Sequence, residues 1–242
     1  MACSRKLLQS STHFRPIPLS VRNSLRRSIH LNAPFSPKDL TGLTTDLLKS
    51  YFDKGLIEEA HSLFDEMHHR DVIAWTAMVT GYVSCNQYTR AWNMFSNMLK
   101  DGVNPNAFTV SSVLKACKGL KALSRGELVH GLAIKIGTQG SSIYVDNALV
   151  GMYATCCDSM DNARLVFEDI VSKNAVSWTT LITGYTHRRD SFGGLRVFRQ
   201  MFMEEGELSP FSFSIAVSAC AAIGSSNLGV VAHLRQNKYS VK

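Results

Sequence analysis

Hydrophobic residues recur along this chain with the spacing expected of amphipathic helices arranged in pairs. In the segment 72–106, a first series of apolar residues falls at positions i, i+3, i+4 and i+7: Trp75, Met78, Val79 and Tyr82. A second series of the same kind follows a turn near Asn86: Ala91, Met94, Phe95 and Met98. Each series defines one apolar face of a helix. The segment is therefore predicted to be a helical hairpin, with a helix end at Gly102 and no continuation past Pro105.

The same hairpin pattern returns along the chain at a regular interval. The second helix carries a related motif four times: LFDEM at 63–67, MFSNM at 94–98, VFEDI at 166–170 and VFRQM at 197–201. The tyrosines that precede these motifs are 31 residues apart for Tyr51 and Tyr82, and 32 residues apart for Tyr153 and Tyr185. A fixed period in this range is typical of stacked structural repeats. One such hairpin cannot bury its apolar face alone, so the sequence predicts an all-α solenoid.

A longer period is superimposed on the first. Trp75 and Trp178 are 103 residues apart, as are Cys117 and Cys220. Three hairpins of different type therefore form a unit that begins again.

The net charge of +7 is confined to the start of the chain. Residues 1–38 contain seven basic residues and no acidic residue, which leaves 19 basic and 19 acidic residues in the remainder. An arginine- and serine-rich, acid-free leader is typical of an organelle transit peptide. The alternative is a disordered basic tail. The paired arginines Arg26 and Arg27 weakly favour a mitochondrial over a chloroplast destination.

Sequence patterns for catalysis, cofactors and membranes are missing. The six cysteines form no CxxC pair, so a zinc site or a disulfide framework is not expected. No apolar stretch approaches the roughly 18 residues of a membrane span. We find neither a glycine-rich phosphate loop nor the HxE and CxxC motifs of a zinc deaminase. The sequence therefore predicts a non-enzymatic protein with no catalytic residues, metal ligands or cofactor.

The repeats resemble the pentatricopeptide repeat family, in particular its plant class of alternating motifs. AWTAMVTGY with AWNMFSNMLKDGVNPN resembles the standard motif, FTVSSVLKACKGLKALSRGELVHGLAIKIG the long motif, and YVDNALVGMYATC with ARLVFEDI the short motif. The resemblance divides the chain into a predicted transit peptide and six repeats: 1–38 leader, 41–71 short, 72–106 standard, 107–142 long, 143–174 short, 175–211 standard and 212–242 incomplete long. It also implies that the solenoid is a right-handed superhelix.

Members of that family bind single-stranded RNA in organelles, one base per repeat. The resemblance implies that the fifth residue of each first helix and the last residue of each repeat read the base edge. These pairs are Thr45 with Asp71 for guanine, Thr76 with Asn106 for adenine, and Asn147 with Asn174 for a pyrimidine. It also implies that Ile73 and Tyr144, at the second helix position, pack on base faces.

Two of the repeats fit the family code poorly. Thr179 would pair with Phe211, which matches no family combination, and the long motif with Ser111 and Ser142 is not a reliable reader. Asp71, Asn106 and Asn174 also have a simpler interpretation. They lie where helices end and turns begin, and Asn and Asp favour such sites.

Several functional alternatives remain at this stage. The leading hypothesis is an RNA-binding protein that supports RNA processing or C-to-U editing by recruiting other proteins, with no membrane association. The second is a protein-interaction scaffold of the tetratricopeptide kind, whose period is about 34 residues. The third is an editing enzyme whose catalytic part lies outside this chain. The apolar face weakens where Arg235 and Asn237 replace Leu132 and Ile134, which suggests a natural short form or a fragment of a longer protein.

Overall fold

The computed structural model describes residues 37–67 and 69–205, and the α-helix is the only regular secondary structure within these ranges. Ten helices are present there: α1 Pro37–Asp53, α2 Ile57–Asp65, α3 Val72–Ser84, α4 Tyr88–Lys100, α5 Ala107–Leu120, α6 Leu123–Lys135, α7 Ile143–Cys156, α8 Asp161–Glu168, α9 Ala175–His187 and α10 Ser191–Glu205. The described part contains no strand. The predicted all-α architecture of stacked hairpins is confirmed.

The helices form five hairpins that stack in chain order. Each odd-numbered helix packs against the even-numbered helix that follows it, and these are called the first and second helix of a hairpin. Each first helix also packs against the first helix of the next hairpin. Second helices instead contact the first helix of the following hairpin, and within the described ranges they touch one another only sparsely. The first helices therefore form a continuous packed row, which we call the inner row.

Aromatic contacts between hairpins repeat with the long period. Phe64 of α2 meets Trp75 of α3 edge-on, with ring centroids 4.8 Å apart. Phe167 of α8 meets Trp178 of α9 at the same centroid distance and in the same edge-on manner. Phe64 and Phe167 are 103 residues apart in the sequence, and so are Trp75 and Trp178. The longer period is therefore a period of packing as well as of residue type.

The turns within and between hairpins use left-handed residues, as the sequence suggests. Gly55 has φ 71° between α1 and α2, and Gly102 has φ 72° after α4. Asn86 takes the same conformation, with φ 58°, between α3 and α4. Glycine and asparagine adopt this region at the lowest cost, which explains their places at these helix ends.

The start of the first helix falls inside the predicted leader. Pro37 and Lys38, which the sequence analysis assigns to the leader, are the first two residues of α1. Proline favours this position because its missing N–H is not needed in the first turn. The rest of the leader, the incomplete repeat at 212–242 and Phe211 lie outside the described residues. None of the helices in the described ranges is long and apolar enough to cross a membrane.

Candidate nucleic-acid interface

Four apolar side chains project from the first helices at one shared position. They are the second residues of α3, α5, α7 and α9, and between 53% and 66% of each is exposed: Ile73, Phe108, Tyr144 and Val176. We call this set the apolar row. The rings of Phe108 and Tyr144 lie 6.1 Å apart with an angle of 30° between their planes. Exposed apolar side chains that recur at the same position of successive helices are unusual for a protein surface. They place broad apolar surfaces side by side.

Beside the apolar row lie the residues that begin the first helices. Asp71 is the N-cap of α3, where its Oδ1 accepts hydrogen bonds from the N–H groups of Ile73 and Ala74. Asn106 and Asn174 are the N-caps of α5 and α9. N-cap side chains of this type stabilise a helix by about 0.5–2 kcal/mol relative to alanine. The simpler interpretation of these residues is thus confirmed as one of their roles.

The predicted pair Thr76 and Asn106 is joined through a third residue. The hydroxyl of Thr76 lies 2.7 Å from the hydroxyl of Thr109 on the neighbouring first helix. The Thr109 hydroxyl in turn donates to Oδ1 of Asn106 at 3.0 Å, and the Thr109 N–H donates to the same oxygen at 2.9 Å. The Asn106 Nδ2 group forms no hydrogen bond within the described part of the chain. Capping therefore fixes the amide of Asn106 by its oxygen and leaves its donor available.

The predicted pair Asn147 and Asn174 is in direct contact. The amide of Asn147 donates to Oδ1 of Asn174 at 3.4 Å. That oxygen also accepts from the N–H and the hydroxyl of Ser177, each at 3.0 Å. The Oδ1 atom of Asn147 is buried without a hydrogen-bond partner among the described residues. This junction leaves one acceptor of the pair unsatisfied.

The remaining predicted residues occupy less open positions. Thr45 is buried in α1 and Thr179 is buried in α9. The Thr179 hydroxyl donates to the carbonyl of Val176, one turn earlier. Ser111, the fifth residue of the predicted long motif, is also buried, and its hydroxyl donates to the carbonyl of Phe108. Of the fifth-position residues, Thr76 and Asn147 are the partly exposed ones in α3 and α7.

Sequence reasoning missed three residues of this surface. Phe108 and Val176 stand at the same helix position as Ile73 and Tyr144, and counting from the cap residue would have found them. Thr109 was missed because it is fully buried and belongs to a repeat type that was discounted. Its signal is the spacing Asn106-x-x-Thr109, which recurs as Asn174-x-x-Ser177 and forms a reciprocal cap in both places.

The inner helices provide neither a metal centre nor an activated nucleophile in the part of the chain that is described. No group of three potential metal ligands occurs among those residues. Burial raises the pKa of the Cys117 thiol to about 12, and the neighbouring Cys156 contributes to the same shift. A thiol with such a pKa stays protonated and unreactive near neutral pH.

Family comparisons agree with the pattern of hairpins. The chain matches the model described as the PPR repeat family at residues 70–119, and the PPR repeat model at residues 45–72 and 176–205. A pentatricopeptide repeat-containing protein of Arabidopsis thaliana is 51% identical over 232 residues, which cover 93% of this chain and 38% of that protein. A chloroplastic protein of the same kind and organism is 40% identical over 71% of this chain and 33% of its own length. The chain thus spans little more than a third of these relatives.

Solved structures share the fold. The maize pentatricopeptide repeat protein PPR10 superposes with a TM-score of 0.64 over 91% of this chain and 33% of its own, at 17% sequence identity. A second structure of PPR10, in complex with an 18-nt psaJ RNA element, gives a TM-score of 0.59 over 90% of this chain and 33% of its own, at 17% identity. The repeat models thus identify pentatricopeptide repeats at residues 45–119 and 176–205, and the shared fold is an α-solenoid.

Proposed function

We propose that the chain binds single-stranded RNA along the inner row of first helices and selects its sequence there, one base per repeat. The observation that carries this proposal is the apolar row running beside hydrogen-bonding side chains at successive helix junctions. Apolar and aromatic side chains provide stacking surfaces for unpaired bases, and amides and hydroxyls match their pairing edges. The RNA complex of PPR10 supports the proposal by analogy of fold.

In this proposal the second helix residues contact base faces. Phe108 and Tyr144 present their rings to solvent at neighbouring hairpins, so a base can pack against one or both. Ile73 and Val176 offer aliphatic contacts at the two ends of the row. Stacking does not depend strongly on base identity, so the apolar row contributes affinity in every register.

Sequence selection then rests on the cap and fifth-position residues. Asn106 offers its Nδ2 donor beside the hydroxyl of Thr76, an arrangement that suits adenine. Asn147 with Asn174 suits a pyrimidine, and Thr45 with Asp71 suits guanine. Thr45 and Thr179 read less well than Thr76, because both are buried whereas Thr76 is partly exposed.

The proposed cellular role rests on the organelles named for the relatives and on the composition of the leader. Some relatives are described as chloroplastic and others as mitochondrial, which supports an organellar RNA as the ligand. The acid-free leader supports import, and its paired arginines favour the mitochondrion. We propose that the chain belongs to the alternating plant class and is not itself an enzyme. It supports RNA processing or C-to-U editing by recruiting other proteins to the bound RNA.

Replacing Tyr144 tests the proposed RNA-binding surface. Tyr144→Ala should weaken binding to a pool of random single-stranded RNA by about five-fold or more, because base stacking contributes about 1–3 kcal/mol. Binding is measured by fluorescence anisotropy at several salt concentrations, since backbone contacts weaken as salt rises. Leu165→Ala is the matched control, because Leu165 is similarly exposed but lies on the second helix α8. Equal affinities for the two variants would contradict the proposed surface.

A further inference from the structure

An acidic cleft opens between the second helices α6 and α8, away from the apolar row. Its volume is about 360 Å³, and its lining combines an apolar wall with polar groups. The wall consists of Ile134, Val166 and Ile170, and the polar groups belong to Gln139, Asp146 and Asp169. Asp146 and Tyr144 are two residues apart on α7, which places their side chains about 200° apart around the helix. The cleft and the proposed RNA surface therefore use opposite sides of this helix.

The central group of the cleft is the carboxylate of Asp146, which is only 5% exposed. Its Oδ1 accepts a hydrogen bond of 2.9 Å from the N–H of Gly140, and its side chain lines the cleft. Burial raises the pKa of Asp146, and the hydrogen bond from Gly140 only partly offsets that shift. Neither Asp146 nor Asp169 forms an ion pair with any residue in the described ranges. A buried carboxylate without a cation is costly, so the cleft favours a positively charged occupant.

In a comparable cleft between α2 and α4, the charge of an acidic side chain is balanced by an arginine of the same chain. This cleft has a volume of about 270 Å³ and contains Glu58 and Arg90. There Arg90 donates to Glu58 at 2.6 Å, and its guanidinium lies over the ring of Tyr82. The chain therefore supplies its own arginine to one cleft and supplies no basic lining residue to the other.

The polar rim of the acidic cleft is held in place. Nε2 of His130 donates a hydrogen bond of 2.9 Å to Oε1 of Gln139, and Nδ1 of the same ring lies 2.7 Å from the hydroxyl of Tyr153. The tyrosine is buried in the core. This chain of contacts fixes the side chain of Gln139 at the mouth, so the cleft is preformed.

We propose that the acidic cleft binds the guanidinium or ammonium group of a basic side chain in a partner protein. The carboxylates of Asp146 and Asp169 receive the cation, and Ile134, Val166 and Ile170 contact an apolar neighbour in the partner segment. RNA is disfavoured because both charges repel phosphate. A divalent metal is disfavoured because no group of three His, Cys, Asp or Glu side chains is assembled among the described residues.

The cation preference is tested with small probes and the full chain. N-acetyl-arginine amide is titrated while the amide resonance of Gly140 is followed by NMR, with N-acetyl-citrulline amide as the neutral isostere. A saturable shift with arginine and none with citrulline is the expected result. Asp146→Asn keeps the acceptor for Gly140 but removes the charge, and it should weaken arginine binding by about tenfold or more. Asp169→Asn should weaken it less, and the distant exposed Glu66→Gln should leave it unchanged.

A second arm separates a protein partner from a free polyamine. N-acetyl-Leu-Arg-Leu amide should bind more tightly than N-acetyl-arginine amide, because leucine can contact the apolar wall. Spermidine binding as tightly as the peptide, with the same dependence on Asp146, would overturn the protein partner. Equal shifts by arginine and citrulline, or arginine binding unchanged in both Asp variants, would overturn the cleft as a cation site. RNA affinity is measured in parallel and should not change in Asp146→Asn, so this proposal and the RNA proposal fail separately.

Discussion

Two junctions between first helices occupy equivalent places in the solenoid but are bonded differently. At the α3–α5 junction, Thr109 links the hydroxyl of Thr76 to the capping oxygen of Asn106. At the α7–α9 junction, Asn147 reaches Asn174 directly at 3.4 Å and keeps a buried oxygen without a partner among the described residues. The first junction is a continuous hydrogen-bond chain around a buried hydroxyl, and the second is a looser contact of two amides. Equivalent junctions can thus differ: side-chain hydrogen bonds link the residues of one, and a buried oxygen lacks a partner in the other.

Removing the hydroxyl that links Thr76 to Asn106 should have the largest effect on stability. Thr109→Val keeps the volume of a fully buried side chain but deletes its contacts with Thr76 and Asn106. We expect a loss of about 1–3 kcal/mol in the free energy of unfolding, because the two side-chain hydrogen bonds of the buried hydroxyl are lost. Ser177→Ala, the matching change at the α7–α9 junction, should cost less, since among the described residues the Ser177 hydroxyl bonds only to its own cap residue. Urea denaturation followed by circular dichroism measures both, and equal losses would contradict the difference between the junctions.

Changing the cap residue itself should have an intermediate effect. Asn106→Ala removes the acceptor for the Thr109 N–H and should cost about 1 kcal/mol of stability. Asn106→Asp should be nearly neutral, because aspartate caps helices as well as asparagine. Thermal unfolding curves of the two variants decide the matter. A large loss with aspartate would mean that the Nδ2 group has a structural role that the hydrogen bonds do not explain.

The coupling energy between partner residues at each junction gives the sharpest comparison. A double-mutant cycle on Thr76→Val and Thr109→Val should give a coupling energy of about 1 kcal/mol. The corresponding cycle on Asn147→Ala and Asn174→Ala should give less than about 0.5 kcal/mol, because the bond is long and the residues are partly exposed. Both cycles use the free energy of unfolding, so they do not depend on RNA. Equal coupling energies would show that the two junctions are equivalent.

The sequence predicts the fold well because each repeat carries local signals for its helices and turns. Apolar periodicity marks the helices, and Gly55, Asn86 and Gly102 mark turns that need positive φ. The turn positions of Asp71, Asn106 and Asn174 also follow from sequence, since Asn and Asp favour turns and N-caps. The sequence analysis predicts two members of the apolar row, Ile73 and Tyr144. The other two are found by taking the same helix position in α5 and α9.

The linking and cleft residues could not be predicted in the same way. Thr109 acts across two hairpins, and its partner Thr76 is 33 residues away in the sequence. The acidic cleft depends on how the loop at 137–142 places Gly140 against Asp146 and on where α8 lies against α7. Such features arise from packing between elements, whereas periodicity describes each element alone.

The central claim is that cap residues read RNA bases as well as capping helices, and base selection by one variant tests it most directly. Wild-type protein and Asn106→Asp are each used to select RNA from a random single-stranded pool, and the bound RNA is sequenced. Aspartate only accepts hydrogen bonds, and guanine offers donors on its pairing edge that adenine lacks. We therefore expect one enriched adenine to become guanine. Relative affinities for RNAs differing at that base should change by about 1–3 kcal/mol.

The control for this measurement is Asn104→Asp, which adds the same charge to an exposed residue two positions earlier. It should lower affinity slightly through repulsion of phosphate and leave the adenine preference unchanged. Because aspartate preserves the cap, any change in base preference in Asn106→Asp is separated from loss of folding. A folded Asn106→Asp protein that binds RNA and still prefers adenine would contradict the account, since Asn106 would then serve only to begin α5.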